Sequence, residues 1–169
     1  MVEKKIKKYD KIELSQEVVE VFNDSQTVKT LTTTDERGFP HTVCKDSLTV
    51  SEGGLVAYCE LIETSQTQRN MLRNYWAKKS VAIKLFNPRT GLSYQIKGIP
   101  YKFMVDGPIW QKFLKESRKM IPDADPSGVW LIIPKEARNQ DYEVRRKEEA
   151  MRRPGSGIWL KYFETFKRG

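Results

Sequence analysis

Seven consecutive residues, Thr64-Ser65-Gln66-Thr67-Gln68-Arg69-Asn70, open a helical stretch with hydroxyls, amides and one cation. A helix start presents unpaired backbone N–H groups and the positive end of the helix dipole, so it attracts anions. Arg69, and Arg73 one turn later, add charge-assisted contacts of the kind that hold phosphate. The same residues also fit plain capping, in which Thr64 or Ser65 takes a first-turn N–H while Gln68 and Arg69 face solvent. The stretch alone leaves both open.

Other chemistry is sparse. The chain has no GxSxG, HExxH, GxGxxG or P-loop pattern. Cys44, Cys59 and His41 are its only cysteines and histidine, and no CxxC spacing occurs. That set does not make a zinc site of the common kinds. His41 and Cys44 are three apart, which on a strand places them on opposite faces. Both cysteines lie in apolar or strand-like runs and are expected to be reduced and at least partly buried. Lys45 and Asp46 are equally an exposed cross-strand pair or ligand contacts. An enzyme of this composition needs a cofactor to carry its reaction.

The 169 residues are 38% hydrophobic, 31% charged and 11% aromatic, which is a globular composition. No apolar run approaches the roughly 18–20 residues that span a bilayer. The amino terminus, MVEKKIKKYDKIEL, lacks the apolar region of a secretory signal. A cytoplasmic protein is expected. The net charge of +8 invites a nucleic-acid reading, but most of it sits at the ends. Residues 1–11 carry five lysines and two acids; residues 134–169 carry ten basic and six acidic side chains. The body between is nearly neutral, which disfavours a nucleic-acid face. The chain divides into a body, 1–133, with a charged lead-in over 1–12, and a basic helical and aromatic extension over 134–169.

Hairpins must position these residues. Ser15 caps a helix over 16–22. Strands are expected over 27–34, 40–50 and 55–62, with turns at 35–38 and 51–54. A helix from the Thr64 turn carries Met71, Leu72, Tyr75 and Trp76 on one face. A strand covers 80–86, and 87–91 is a loop. Apolar parity then changes at Lys97-Gly98 within a long run, 92–105, as a bulge or bend would produce. Tyr94, Tyr101 and Phe103 are expected in the barrel core, as is Trp130. Asp106-Gly107-Pro108 starts a helix to about Met120. The run over 128–134 is a strongly apolar strand. A charged helix, a Pro-Gly-Ser-Gly linker over 154–157 and an aromatic segment over 158–166 follow. The order indicates a mostly antiparallel β-barrel with α additions.

In sequence order, TTTDERGFPHTVCKDSLTV, TSQTQRN, VAIKLF and RTGLSYQIKGIPYKFMVDGPIWQKF are similar to segments of one family. The stretch from about Val28 to Phe113 resembles the flavin-binding split barrels of the pyridoxamine 5′-phosphate oxidase-like superfamily, and is most similar to its small FMN-binding flavoproteins. It covers about half the chain, and the order and spacing of the segments are more specific than any one of them.

The resemblance implies an antiparallel split β-barrel, a homodimer, and two FMN molecules at the dimer interface. It implies that the flavin phosphate rests against Thr64, Ser65, Gln66, Thr67 and Asn70. The ring then lies along Val43, Cys44, Lys45, Asp46 and Ser47, and the second subunit brings the Asn87–Leu92 loop, with Arg89 and Thr90, and Trp110. An FMN-dependent oxidoreductase follows, its electron donor a nicotinamide nucleotide or a small redox protein. Where the family often has Lys-Thr, this chain has Gln66-Thr67, which leaves the phosphate charge to Arg69 or another cation. The strand HTVCKDSL and the tail ETFKRG depart from the oxidase itself, so its reaction is not carried over. Two other readings stand beside this one: a basic β-barrel that binds nucleic acid, and a split barrel holding deazaflavin or haem, the latter through His41.

Overall fold

The computed structural model describes residues 11–152. Most of the charged lead-in, the linker over 154–157 and the aromatic segment over 158–166 lie outside the described residues. The elements are α1 (Gln16–Asn23), β1 (Val28–Thr34), β2 (Pro40–Cys44), β3 (Thr49–Val50), β4 (Val56–Glu60), α2 (Gln66–Trp76), β5 (Val81–Phe86), β6 (Ser93–Met104), α3 (Gly107–Met120), β7 (Gly128–Asn139) and α4 (Tyr142–Arg152).

Local chemistry explains most boundaries. Ser15 caps α1 through its hydroxyl, which accepts from the Val18 N–H at 3.3 Å. Val18, Val21 and Phe22 form the buried stripe of that helix. Asp35 closes the β1–β2 turn by accepting from the Arg37 and Phe39 N–H groups. Pro108 stands in the first turn of α3, where a missing N–H costs nothing.

All seven strands lie in one antiparallel sheet of order β2-β1-β5-β6-β7-β4-β3. Its two edge strands, β2 and β3, are joined by only four residues, so the sheet must curl until its edges approach. The corner is tied from inside. Lys45 N–H donates to the Lys29 carbonyl at 2.9 Å, and Lys29 Nζ donates to the carbonyls of Leu48 at 2.9 Å and Phe22 at 3.3 Å. The strand expected over 40–50 is therefore two strands on opposite edges. β2 pairs with β1, and β3 pairs with β4.

The main core fills the inside of the curl, with Leu31, Leu48, Tyr58, Ile83, Ile96 and Trp130 packed against the α1 stripe. A second cluster covers the outer face, where Phe113 of α3 meets Ala57, Cys59, Val129 and Leu131. Burying Phe113 contributes about 1.5–3 kcal/mol. β4 and β7 are buried on both faces, which is why GVWLIIP reads as continuous apolar sequence. β7 runs on to Asn139, five residues past the expected end, as partner to β6.

The register shifts between Lys97 and Gly98, where the parity changes. The extra residue there is Lys135 on β7; β6 carries its own, Tyr101, three residues later. Tyr94 and Phe103 join the inner core, as expected, and Tyr101 packs on the outer cluster instead. Gly98 is needed for close approach: a Cβ there would stand 2.5 Å from Ile132 Cγ2 and 2.8 Å from the Ile133 carbonyl oxygen.

Candidate functional site

The start of α2 is built by three elements. Ser65 is its N-cap, and the Ser65 hydroxyl accepts from the Gln68 N–H at 2.9 Å. The Ser65 carbonyl takes the Arg69 N–H at 3.1 Å. The N–H groups of Gln66 and Thr67 have no partner among the described residues. The first turn contains no acidic residue, unlike that of α1 or α4. Behind it, Thr67 Oγ1 lies 3.2 Å from His41 Nε2 on β2, and the Asn70 amide donates to Thr33 Oγ1 on β1 at 3.0 Å. Asn70 is fully buried, and its Oδ1 accepts from Gln66 Nε2 at 2.7 Å.

The two arginines differ. Arg73 pairs with Glu36 at 2.7 Å. Arg69 is exposed, and among the described residues its guanidinium meets only the neutral Gln66 Oε1, at 2.9 Å. Among the described residues the turn thus offers two open N–H groups, the exposed Thr64 hydroxyl and one cation without a counter-charge. A phosphate monoester needs such a donor set.

The face of α2 that carries Met71, Leu72, Tyr75 and Trp76 is largely open to solvent. Met71 is buried, but Leu72, Tyr75 and Trp76 are exposed, Trp76 by 78%. The packed face is largely polar: Thr67, Gln68, Asn70 and Asn74. Gln68 Oε1 accepts from Trp130 Nε1 at 2.7 Å, which ties the helix to the core indole. Both amide atoms of Asn74 are buried without a partner among the described residues.

β2 leads from this turn to the corner. Cys44 lies three residues from His41 along the strand, roughly 10 Å. Its thiol is exposed, not packed in the core. Val43 is half-buried and Asp46 exposed. Because β2 pairs only with β1, its other edge is open to hydrogen bonding. Lys45 and Ser47 turn inward. Lys45 Nζ reaches Glu60, and Ser47 Oγ accepts from the Cys59 N–H at 3.1 Å. Their side chains face away from that edge. Burial lowers the pKa of Lys29 beside them, against the field of Asp46.

Asn87, Arg89 and Thr90 stand at the far end of β1 from the α2 turn, since Val28 pairs with Phe86 while Thr34 pairs with Pro40. Asn87 organises its own loop: Oδ1 accepts from the Arg89 and Thr90 N–H groups, and Nδ2 donates to Thr27. Arg89 pairs with Asp24 at 3.0 Å. Trp110 is on α3, against the outer cluster, with its Nε1 buried and unpartnered among the described residues. The chain therefore gathers Thr64 to Asn70 with β2 and leaves Asn87, Arg89, Thr90 and Trp110 elsewhere.

Sequence reading missed Glu60, Thr33 and Glu36. Glu60 carried a signal, an acid inside the apolar run LVAYCELI. Thr33 and Glu36 carried none. The described residues contain no group of three or more metal-ligating side chains and no helix long and apolar enough to cross a membrane.

No protein-family model matches the sequence, and no curated protein matches it. Solved structures do match its fold. HupZ from Group A Streptococcus superposes with a TM-score of 0.62 at 19% identity, over 76% of this chain and 95% of that one. An FMN-binding protein from Syntrophomonas wolfei gives 0.60 at 10% identity, over 82% and 93%. HutZ, the heme storage protein of Vibrio cholerae, gives 0.53 at 14% identity, over 76% and 95%. The fold is the split barrel of the pyridoxamine 5′-phosphate oxidase-like proteins.

Proposed function

We propose that this chain is an FMN-binding flavoprotein that works as an oxidoreductase, with the flavin held between two copies of the chain. The observation that carries this reading is the start of α2: two open N–H groups and Arg69, with no acid in the turn. The phosphate rests there, against Thr64, Ser65 and Thr67. Asn70 holds Gln66 and the turn in place from below. The ring lies along the open edge of β2, where Val43, Cys44 and the corner residues offer backbone groups. The second subunit supplies the Asn87–Thr90 loop and Trp110, which lie away from the turn within one protomer. Bound FMN would supply electron transfer; the protein fixes its position, limits water and sets its hydrogen bonds. A nicotinamide nucleotide or a small redox protein is the donor.

An absorption spectrum of the freshly purified protein tests this, with mass spectrometry of what heat releases. Flavin bands and the mass of FMN support it. A colourless protein that also fails to bind added FMN overturns it. A second reading rests on His41, whose Nε2 faces the same turn. Haem ligation there would replace the Thr67 hydrogen bond, and a Soret band lost in His41→Ala would favour it.

A further inference from the structure

The outer face of the sheet carries a cleft the flavin reading does not use. It lies between α3 and the β3–β4 hairpin and measures about 470 Å³. That is within the range of small-molecule sites. Its floor is buried hydrocarbon: Leu55 just before β4, Ala57 of β4, Leu131 of β7 and Phe113 of α3, with Ile109 beside them. Its rim is cationic. Lys102 and Lys112 line it and are exposed, and neither makes an ion pair or hydrogen bond among the described residues. Glu52 is the one acid in the lining, and it pairs with neither lysine. A third cation reaches the hairpin, where Lys11 Nζ donates to the Gly53 carbonyl at 2.6 Å.

Charge selects among occupants. A second copy docking the same face by two-fold symmetry would bring like charges together. The carboxy-terminal segment of this chain carries Lys161, Lys167 and Arg168 against Glu164, so it too is cationic. An anion with an apolar body complements both floor and rim. We propose that the cleft binds a free fatty carboxylate, its acyl chain on the floor and its carboxylate between Lys102 and Lys112.

Calorimetric titration of the full-length protein with dodecanoate, below its micelle concentration, tests this. One-to-one saturable binding is expected, tightening about fourfold per methylene from octanoate to dodecanoate. The double substitution K102E/K112E should weaken it at least tenfold without a change in Tm, because both lysines are exposed. Ile109→Trp, which fills the cleft, should abolish it. Dodecylamine, with the same tail and the opposite charge, should not bind. Absence of saturable binding overturns the proposal, as does equal binding of dodecylamine or an unaffected K102E/K112E protein. Two further results do the same: binding to phosphatidylglycerol vesicles without binding of monomeric dodecanoate, and dissociation of a dimer by dodecanoate, which would assign the cleft to a second copy.

Discussion

Lys45 Nζ lies 3.0 Å from both carboxylate oxygens of Glu60, whose side chain is only 2% exposed. The pair joins the corner after β2 to the end of β4. The ammonium also lies 5.3 Å from the Tyr58 ring centroid. Breaking such a pair leaves one buried charge uncompensated, which costs far more than losing both partners. Glu60→Ala should lower stability by about 3–5 kcal/mol. The double replacement K45M/E60L should recover most of that loss. Urea unfolding of the three proteins measures it, and equal losses for single and double variants would refute the account.

In the proposed site Arg69 touches ligand binding alone, whereas Ser65 serves both the ligand and the helix cap. Arg69 meets no acid among the described residues, so Arg69→Glu should leave the fold intact and weaken FMN binding. Loss of a charge-assisted contact, about 1.5–3 kcal/mol, is roughly a tenfold to hundredfold rise in Kd. Ser65→Ala removes the cap and should cost about 1 kcal/mol of stability. Fluorescence titration with FMN and thermal melts of both variants distinguish the effects. Unchanged FMN affinity in Arg69→Glu would remove that guanidinium from the site.

Burial and a 2.5 Å hydrogen bond to Glu17 push the Tyr94 hydroxyl up to about 12. The unfolded value is about 10. The folded chain thus holds the phenolic proton more tightly than the unfolded chain does. Stability from this group is complete below pH about 10 and falls as the pH rises towards about 12. Tyr58, pushed upward first by burial and then by the Glu60 charge, adds to the same slope. Tyr94→Phe should flatten part of the alkaline decline in unfolding free energy between about pH 10 and 12, the window those values bound. An unchanged slope would contradict it.

Gly98 and Gly38 should respond to alanine for different reasons. A Cβ at Gly98 would press on Ile132 and the Ile133 backbone, so Gly98→Ala should cost about 1–3 kcal/mol through overpacking. Gly38 meets nothing within 4 Å but has φ +86°, so Gly38→Ala should cost about 1 kcal/mol through backbone strain alone. Ile132→Ala, which removes Cγ2, should relieve part of the first cost and none of the second. Denaturant midpoints for the four variants decide this.

What was legible in sequence is what short-range chemistry dictates. The Ser15 cap, the Asp35 turn and the Pro108 helix start have local causes, whereas the register shift at Gly98 comes from Lys135 on the partner strand β7. The break after Cys44 has no local cause either. PHTVCKDSLTV reads as one strand, and it is split by Lys29 and Glu60, which hold the corner from 16 and 15 residues away from Lys45. Which face of α2 is buried was not legible for a related reason. Aromatic residues predict burial only when nothing else can be buried there. Here Asn70 and Gln68 are inside because Thr33 and Trp130 meet their hydrogen bonds. The residues of the phosphate turn were legible as a group; their partners on β1 and β2 were not.

The four residues between β2 and β3 also set an order of events. Strands β1 and β2 form a local hairpin, and β5 and β6 form another. β4 must wait for β7, whose residues lie about 70 positions later in the chain, before it gains its long partner. Until then the 45–48 corner is held only by Lys29 of β1 and by a β4 that lacks its long partner, and β3 has only two residues of pairing. Distant pairings of this kind slow folding because loop entropy is lost before contacts form. The corner that would hold the ring of a bound flavin is therefore among the last parts of the chain to assemble.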